Sequence, residues 1–103
     1  MRSMALLGPG PTWTDGRPVF EQDAVVLGAH LAHMRQLFAG GALLLGGPAH
    51  DGRSGIALLD TTCLDSATAL IEADPAVRAG LFRFDIQRLT PYYDAFDNDR
   101  STS

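Results

Sequence analysis

The chain has no lysine, a single cysteine and no long apolar run. With only Cys63 no intramolecular disulfide can form, and a reducing compartment is expected. A reactive thiol needs a thiolate-favouring site, so Cys63 reads first as a buried or helix-end thiol rather than a nucleophile. All eight basic residues are arginine, which reflects codon usage more than chemistry, and they face twelve acidic residues. A formal charge of −4 and a pI near 5.1 leave no basic stripe, which argues against a nucleic-acid partner. Met4-Ala5-Leu6-Leu7 is too short for the apolar core of a secretory signal, and Gly8-Pro9 cuts it off. Nothing approaches the length of a membrane span. A cytoplasmic protein without a membrane partner is the expectation.

What is present is one domain. The 103 residues, 11.0 kDa and 46% hydrophobic, leave no room for a second core. Met4–Leu7 reads as a first strand, closed by Gly8-Pro9-Gly10-Pro11. A loop follows over residues 12–19, and a helix spans about Glu21 to Ala39. Leu27, Leu31, Met34 and Phe38 form its apolar stripe, and Gly40-Gly41 stops it. Ala42–Leu45 is a second strand bounded by Gly46-Gly47-Pro48, and Gly55–Leu59 a third after a turn at Asp51-Gly52. A second helix covers Leu64–Ala73, with Leu64, Ala67, Leu70 and Ile71 inward. Asp74-Pro75 then reads as an N-cap with proline at N1, opening one further helical turn that Gly80 ends. Leu81–Leu89 is a last strand, with Phe82, Phe84 and Ile86 on one face. The order β-α-β-β-α-β predicts an α+β, ferredoxin-like unit. Residues 1–89 form this domain. Residues 90–103 are a polar tail, either disordered in its last half or packing Tyr92, Tyr93 and Phe96 on a partner subunit.

The second and third strands are apolar at consecutive positions, so both faces of the sheet need cover, and two helices cover only one. A second copy of the chain would cover the other face. Burying four Leu or Ile side chains per subunit supplies on the order of 6–10 kcal/mol before association costs. A homodimer, or a larger homo-oligomer, is predicted on this pattern.

Three histidines are candidates for chemistry. His30 lies roughly 60° off the apolar stripe, half in the core and half facing a cleft. His33 falls on the polar side as a solvated residue, and His50 sits in a turn. A lone histidine beside an apolar stripe is more often structural than catalytic. A carboxylate partner would fix its tautomer, and Asp74 is the natural candidate, with one oxygen capping and the other accepting from His30. A zinc site on His30, His33, His50 and Asp51 is disfavoured because His30 and His33 diverge by about 60°. No metal is expected. Gly46-Gly47-Pro48 has no following Lys-Ser/Thr or helix, so it is no phosphate loop. Its glycines let backbone approach a ligand or a neighbouring strand. Ser54 and Ser66 lack a nucleophile-elbow motif.

Three segments resemble the YCII-related family of small dimeric α+β barrel proteins. His30-Leu31-Ala32-His33-Met34-Arg35-Gln36-Leu37 is similar to the family's His-Leu-x-x-Leu-Arg-x-Leu helix. Gly41–Pro48 is similar to its Gly-x-Leu-Leu-x-x-Gly-Pro strand, and Asp74–Gly80 to its Asp-Pro-x-Val-x-Ala-Gly segment. The likeness covers nearly all of residues 4–89. It implies a ferredoxin-like subunit, a dimeric α+β barrel, and a His-Asp active site carried by His30 and Asp74. One branch of the family is similar to a dehydrochlorinase acting on a chlorinated hydroxyquinol, where such a dyad serves acid–base chemistry. Cys63 departs from the pattern, standing where the second helix usually begins with a Ser or Thr cap. That loss costs about 1 kcal/mol locally.

The leading expectation is a cofactor-free enzyme of small-molecule metabolism, lyase- or isomerase-like, working on a phenol, enol or lactone. His30 shuttles the proton, Asp74 holds the imidazole, and Trp13, Gly46 and Gly47 wall the pocket. The alternative is a non-catalytic dimeric small-molecule-binding or interaction module. A cofactor-independent oxygenase of the antibiotic-biosynthesis type fits the motifs less well.

Overall fold

The computed structural model describes residues 1–97. Its strands are β1 (Arg2–Pro9), β2 (Leu43–Pro48), β3 (Gly55–Asp60) and β4 (Phe82–Leu89), and its α-helices are α1 (Ala24–Ala39), α2 (Leu64–Glu72) and the single turn α3 (Pro75–Arg78). The sheet runs β2-β3-β1-β4 with every neighbouring pair antiparallel. This is the ferredoxin-like arrangement: β1-α1-β2 and β3-α2-α3-β4 each bridge over an intervening strand.

The expected barrel is not what the chain builds. β2 and β4 stand at opposite edges of the sheet, with β3 and β1 between them. Closing a barrel would need hydrogen bonds between those edges, and four strands enclose too small an interior to hold side chains. The sheet is open.

Its inner face is built from alternate residues. Ala5 and Leu7 on β1, Ala57 and Leu59 on β3, Leu43 on β2 and Phe82 on β4 are buried there, with Ala67 and Ile71 of α2 and Ala76 of α3 packed in the same core. On the other face Met4 stands opposite Leu58, Leu6 opposite Ile56, and Leu58 opposite Leu45. That face has no helix on it, and Leu6 and Leu45 remain about half exposed, at 52% and 50%.

Several element boundaries differ from the pattern reading, each for a local reason. α1 starts three residues later than its periodicity implies, because Asp23 caps it through the amides of Val25 (3.0 Å) and Val26 (3.1 Å). The residues before it, Val19–Glu21, form a 3₁₀ turn instead. β2 runs through Gly46-Gly47-Pro48, since an edge strand tolerates proline, and its register slips by one residue between Leu43 and Leu45. That slip explains three consecutive leucines in a strand half covered by helices. Gly80 takes φ +78°, the left-handed conformation that ends α3 and turns the chain into β4.

In the tail, Tyr92 and Tyr93 are exposed, while the Asp94 carboxylate meets Arg2 Nε at 2.6 Å and holds that guanidinium above its ordinary value. The expectation for the last part of the tail falls on residues 98–103, outside those described.

Candidate active site

Asp74 is placed by its own sequence neighbour. Pro75 forbids helical geometry before it, so Asp74 sits extended at φ −60°, ψ 124°, between the end of α2 and the start of α3. Its Oδ1 accepts from the Ala76 amide at 2.9 Å, capping α3. Its Oδ2 lies 2.6 Å from His30 Nδ1. The carboxylate is completely buried, and the His30 side chain keeps 17% exposure. A buried carboxylate is costly unless both oxygens have partners, and here each has one.

The imidazole is held from a second side. The Phe82 ring meets it nearly edge-on, with centroids 5.1 Å apart and planes at 82°. Trp13 packs behind Phe82 at 6.2 Å. With Nδ1 committed to Asp74, the proton of neutral His30 sits on Nδ1, and Nε2 carries the lone pair available to another molecule.

His33 is not the solvated residue its position implied. It is half-buried, and its Nε2 pairs with the Leu70 carbonyl at 2.8 Å, at the far end of α2. The helix is rotated relative to the simple stripe. Val26, Leu27, Met34 and Leu37 pack against the core, and Leu27, Leu31 and Met34 also line a cavity. Leu31 and Phe38, read from the pattern as inward, are exposed. His30 stands on the cavity side of the helix.

The cavity has a volume of about 530 Å³, in the range of small-molecule sites. It opens between α1 and the β2 edge of the sheet, and His30, Gly46, Gly47 and Phe82 are in its wall. Trp13 is not: it supports Phe82 from behind, so its expected role as a wall is corrected to that of a buttress. Space arises where side chains are missing; a Cβ on Gly28 of α1 would touch nothing within 4 Å.

At the mouth the β2–β3 hairpin contributes Arg53 and Ser54, which the pattern reading did not single out as ligand-facing. An Asx turn organises them. Asp51 Oδ1 accepts from the amides of Arg53 (2.8 Å) and Ser54 (2.9 Å), and Oδ2 accepts from the Ser54 hydroxyl (2.8 Å). These bonds hold the Asp51 carboxyl below its usual range. Gly52, at φ +72°, lets the hairpin tip bend so that its carbonyl accepts from the Val19 amide at 2.7 Å. The signal was present in Asp51-Gly52, had it been read as a turn that aims the two residues after it.

The remaining candidates lie elsewhere. His50 is exposed in the hairpin. Cys63 is exposed at the start of α2, where it makes no side-chain capping bond, and the nearby Ser66 hydroxyl at 3.2 Å lowers its thiol.

An open ferredoxin-like sheet with a His-Asp pair at the wall of a small apolar cavity defines a small α+β protein equipped to hold one compact molecule. The YCII-related domain model matches residues 1–89, and the chain belongs to that family. Among solved structures it is similar to the 5-chloro-2-hydroxyhydroquinone dehydrochlorinase of Burkholderia phenoliruptrix in complex with 2,5-dihydroxybenzoquinone. The TM-score is 0.62 at 20% identity, covering 85% of this chain and 93% of that one, a likeness of fold. No protein of curated function matches the sequence.

Proposed function

We propose that the chain is a small-molecule enzyme in which His30 transfers a proton at Nε2 while Asp74 holds the imidazole in the Nδ1–H tautomer. The observation that carries this reading is the 2.6 Å contact between His30 Nδ1 and the fully buried Asp74, at the wall of a cavity of about 530 Å³. A histidine with one nitrogen anchored to carboxylate and the other open to a cavity is the arrangement general acid–base catalysis needs. The reaction class that fits is proton abstraction followed by elimination or isomerisation on a phenol, enol or lactone, with no cofactor. The dehydrochlorinase of similar fold supports elimination as the first chemistry to assay.

The test is turnover by His30→Gln on chlorinated hydroxyquinols, enols and lactones that wild type converts. A positioned general base contributes about 10²–10⁴-fold, so kcat is expected to fall by that factor. Full activity in the variant, or no conversion by wild type across the panel, removes the dyad from catalysis and leaves a binding module.

We further propose that two copies associate through the uncovered sheet face. Met4, Leu6, Leu45, Ile56 and Leu58 form an apolar patch there of a kind that soluble monomers seldom leave open. Equilibrium sedimentation is expected to give a mass near twice 11.0 kDa at micromolar concentration, and to revert toward the single-chain mass in Leu6→Lys. A wild type that stays at the single-chain mass contradicts the assembly.

A further inference from the structure

The cavity wall carries three polar side chains among the described residues: His30, Ser54 and Arg53. All other lining residues are apolar or are glycine or proline. Ser54 has its hydroxyl on Asp51 Oδ2, so two groups remain free to address a ligand, the imidazole and the guanidinium. Of these, only Arg53 is charged at every pH a protein tolerates.

Arg53 has no ion-pair partner within 4 Å among the described residues; the salt bridges there belong to the N-terminus, Arg2 and His30. The Asp51 carboxylate, two residues before it, feels its charge. Asp51 nevertheless spends both oxygens on the Arg53 and Ser54 amides and the Ser54 hydroxyl. The Asx turn therefore fixes the backbone from which Arg53 projects, while leaving the guanidinium unneutralised. Of the acids elsewhere around the cavity, Asp74 is sealed behind His30 and caps α3, and neither Glu21 nor Asp23, on the segment the hairpin tip bonds to, forms an ion pair with Arg53. An exposed cation without an ion-pair partner at the edge of an otherwise apolar cavity, in a protein of net charge −4, gives that opening a positive charge.

Resting on the dyad reading above, we infer that Arg53 is the specificity-determining residue of the cavity and selects an anionic substrate. That substrate is a compact, largely apolar molecule carrying a carboxylate, which the planar guanidinium binds through paired N–H donors. His30 then meets the uncharged end of the same molecule. An acid group held at the mouth orients the ring or chain it belongs to, so the reacting C–H or O–H is presented to Nε2 in one direction.

The experiment compares benzoate with benzamide, probes of nearly equal size and shape that differ in charge. Trp13, the only tryptophan, packs on the cavity-lining Phe82 and gives a fluorescence readout. Wild type is expected to bind benzoate about tenfold more tightly than benzamide, the scale of one charge-assisted pair. The preference is expected to shrink as salt is raised. Arg53→Gln should erase it, Arg53→Lys should retain part of it, and His30→Gln should leave it in place. Equal affinity of wild type for both probes, no binding of either, or a preference that survives in Arg53→Gln overturns the assignment. A preference lost in His30→Gln and kept in Arg53→Gln gives the charge to the imidazole and overturns it as well. These arms read binding alone, so they stand apart from turnover: a failed dyad leaves the benzoate preference intact, and a failed Arg53 leaves the effect of His30→Gln on kcat intact.

Discussion

The two ends of the cavity are built on different principles. At the inner end, His30 and Asp74 come from elements 44 residues apart in sequence, and the carboxylate is buried. It is held by one bond to a helix amide and one to the imidazole, which in turn packs on Phe82. At the mouth, Arg53 and Ser54 are held by a carboxylate two and three residues away, on a hairpin exposed to water. The first arrangement exists only when the whole domain is folded. The second is local, and solvent competes for each of its bonds. Tertiary burial makes the inner end rigid and costly to disturb, while the rim can loosen without unfolding the protein.

The largest effect that would break this contrast is at Asp74. Asp74→Ala removes the α3 cap and the partner of His30 together, and is expected to destabilise the fold by about 2–4 kcal/mol, read by urea denaturation. A change below about 0.5 kcal/mol would mean that the inner end is no more embedded than the rim.

Asp74→Asn sharpens the same point, because an amide offers one oxygen where the carboxylate uses two. Either the Ala76 amide loses its acceptor or the amide nitrogen faces His30 and forces the wrong tautomer. The variant is expected to lose only about 1–2 kcal/mol of stability yet to lower kcat by about 10²-fold. Stability and turnover falling in the reverse proportion would make Asp74 a cap alone.

The smallest effect is at the mouth. The Arg53 and Ser54 amides depress the folded-state pKa of Asp51, so its contribution is complete above the unfolded value. It is lost as pH falls through the folded value. Acidification below the ordinary carboxylate range is therefore expected to lower the hydrogen-exchange protection factors of the Arg53 and Ser54 amides several-fold. Asp51→Ala should show the lower protection already at neutral pH, with a modest rise in KM. Protection at those amides that is indifferent to pH and to the substitution would show that the Gly52–Val19 contact, and not Asp51, holds the rim.

Much of the inner end was legible from the chain. Asp-Pro followed by one turn and a glycine announces a capped helix start, because proline excludes the preceding residue from helical geometry and glycine permits the left-handed exit. Of the two histidines of α1, one was less legible. His30 lies at the cleft as its position implied, but His33 is half-buried, because a wheel drawn through Leu27, Leu31, Met34 and Phe38 placed the centre of burial too far round. On a helix beside a cavity the same apolar residues, here Leu27 and Met34, both pack on the core and line the open space, and periodicity does not separate the two. The mouth was missed for another reason: Asp51-Gly52 marks a turn, but only the hairpin's fold over the cavity puts Arg53 and Ser54 in its wall.

Alternation, glycine and proline placement and one capping aspartate were enough to set the order of strands and helices, because those preferences act within a few residues. They also marked one acid with a spare oxygen. Whether that oxygen would find an imidazole, which side of α1 would stay open, and that β2 and β4 would end as free edges depended on how separate elements pack. Packing is a contest among long-range contacts that no short stretch of chain encodes by itself, and here it joined His30 to Asp74 and left a space beside them.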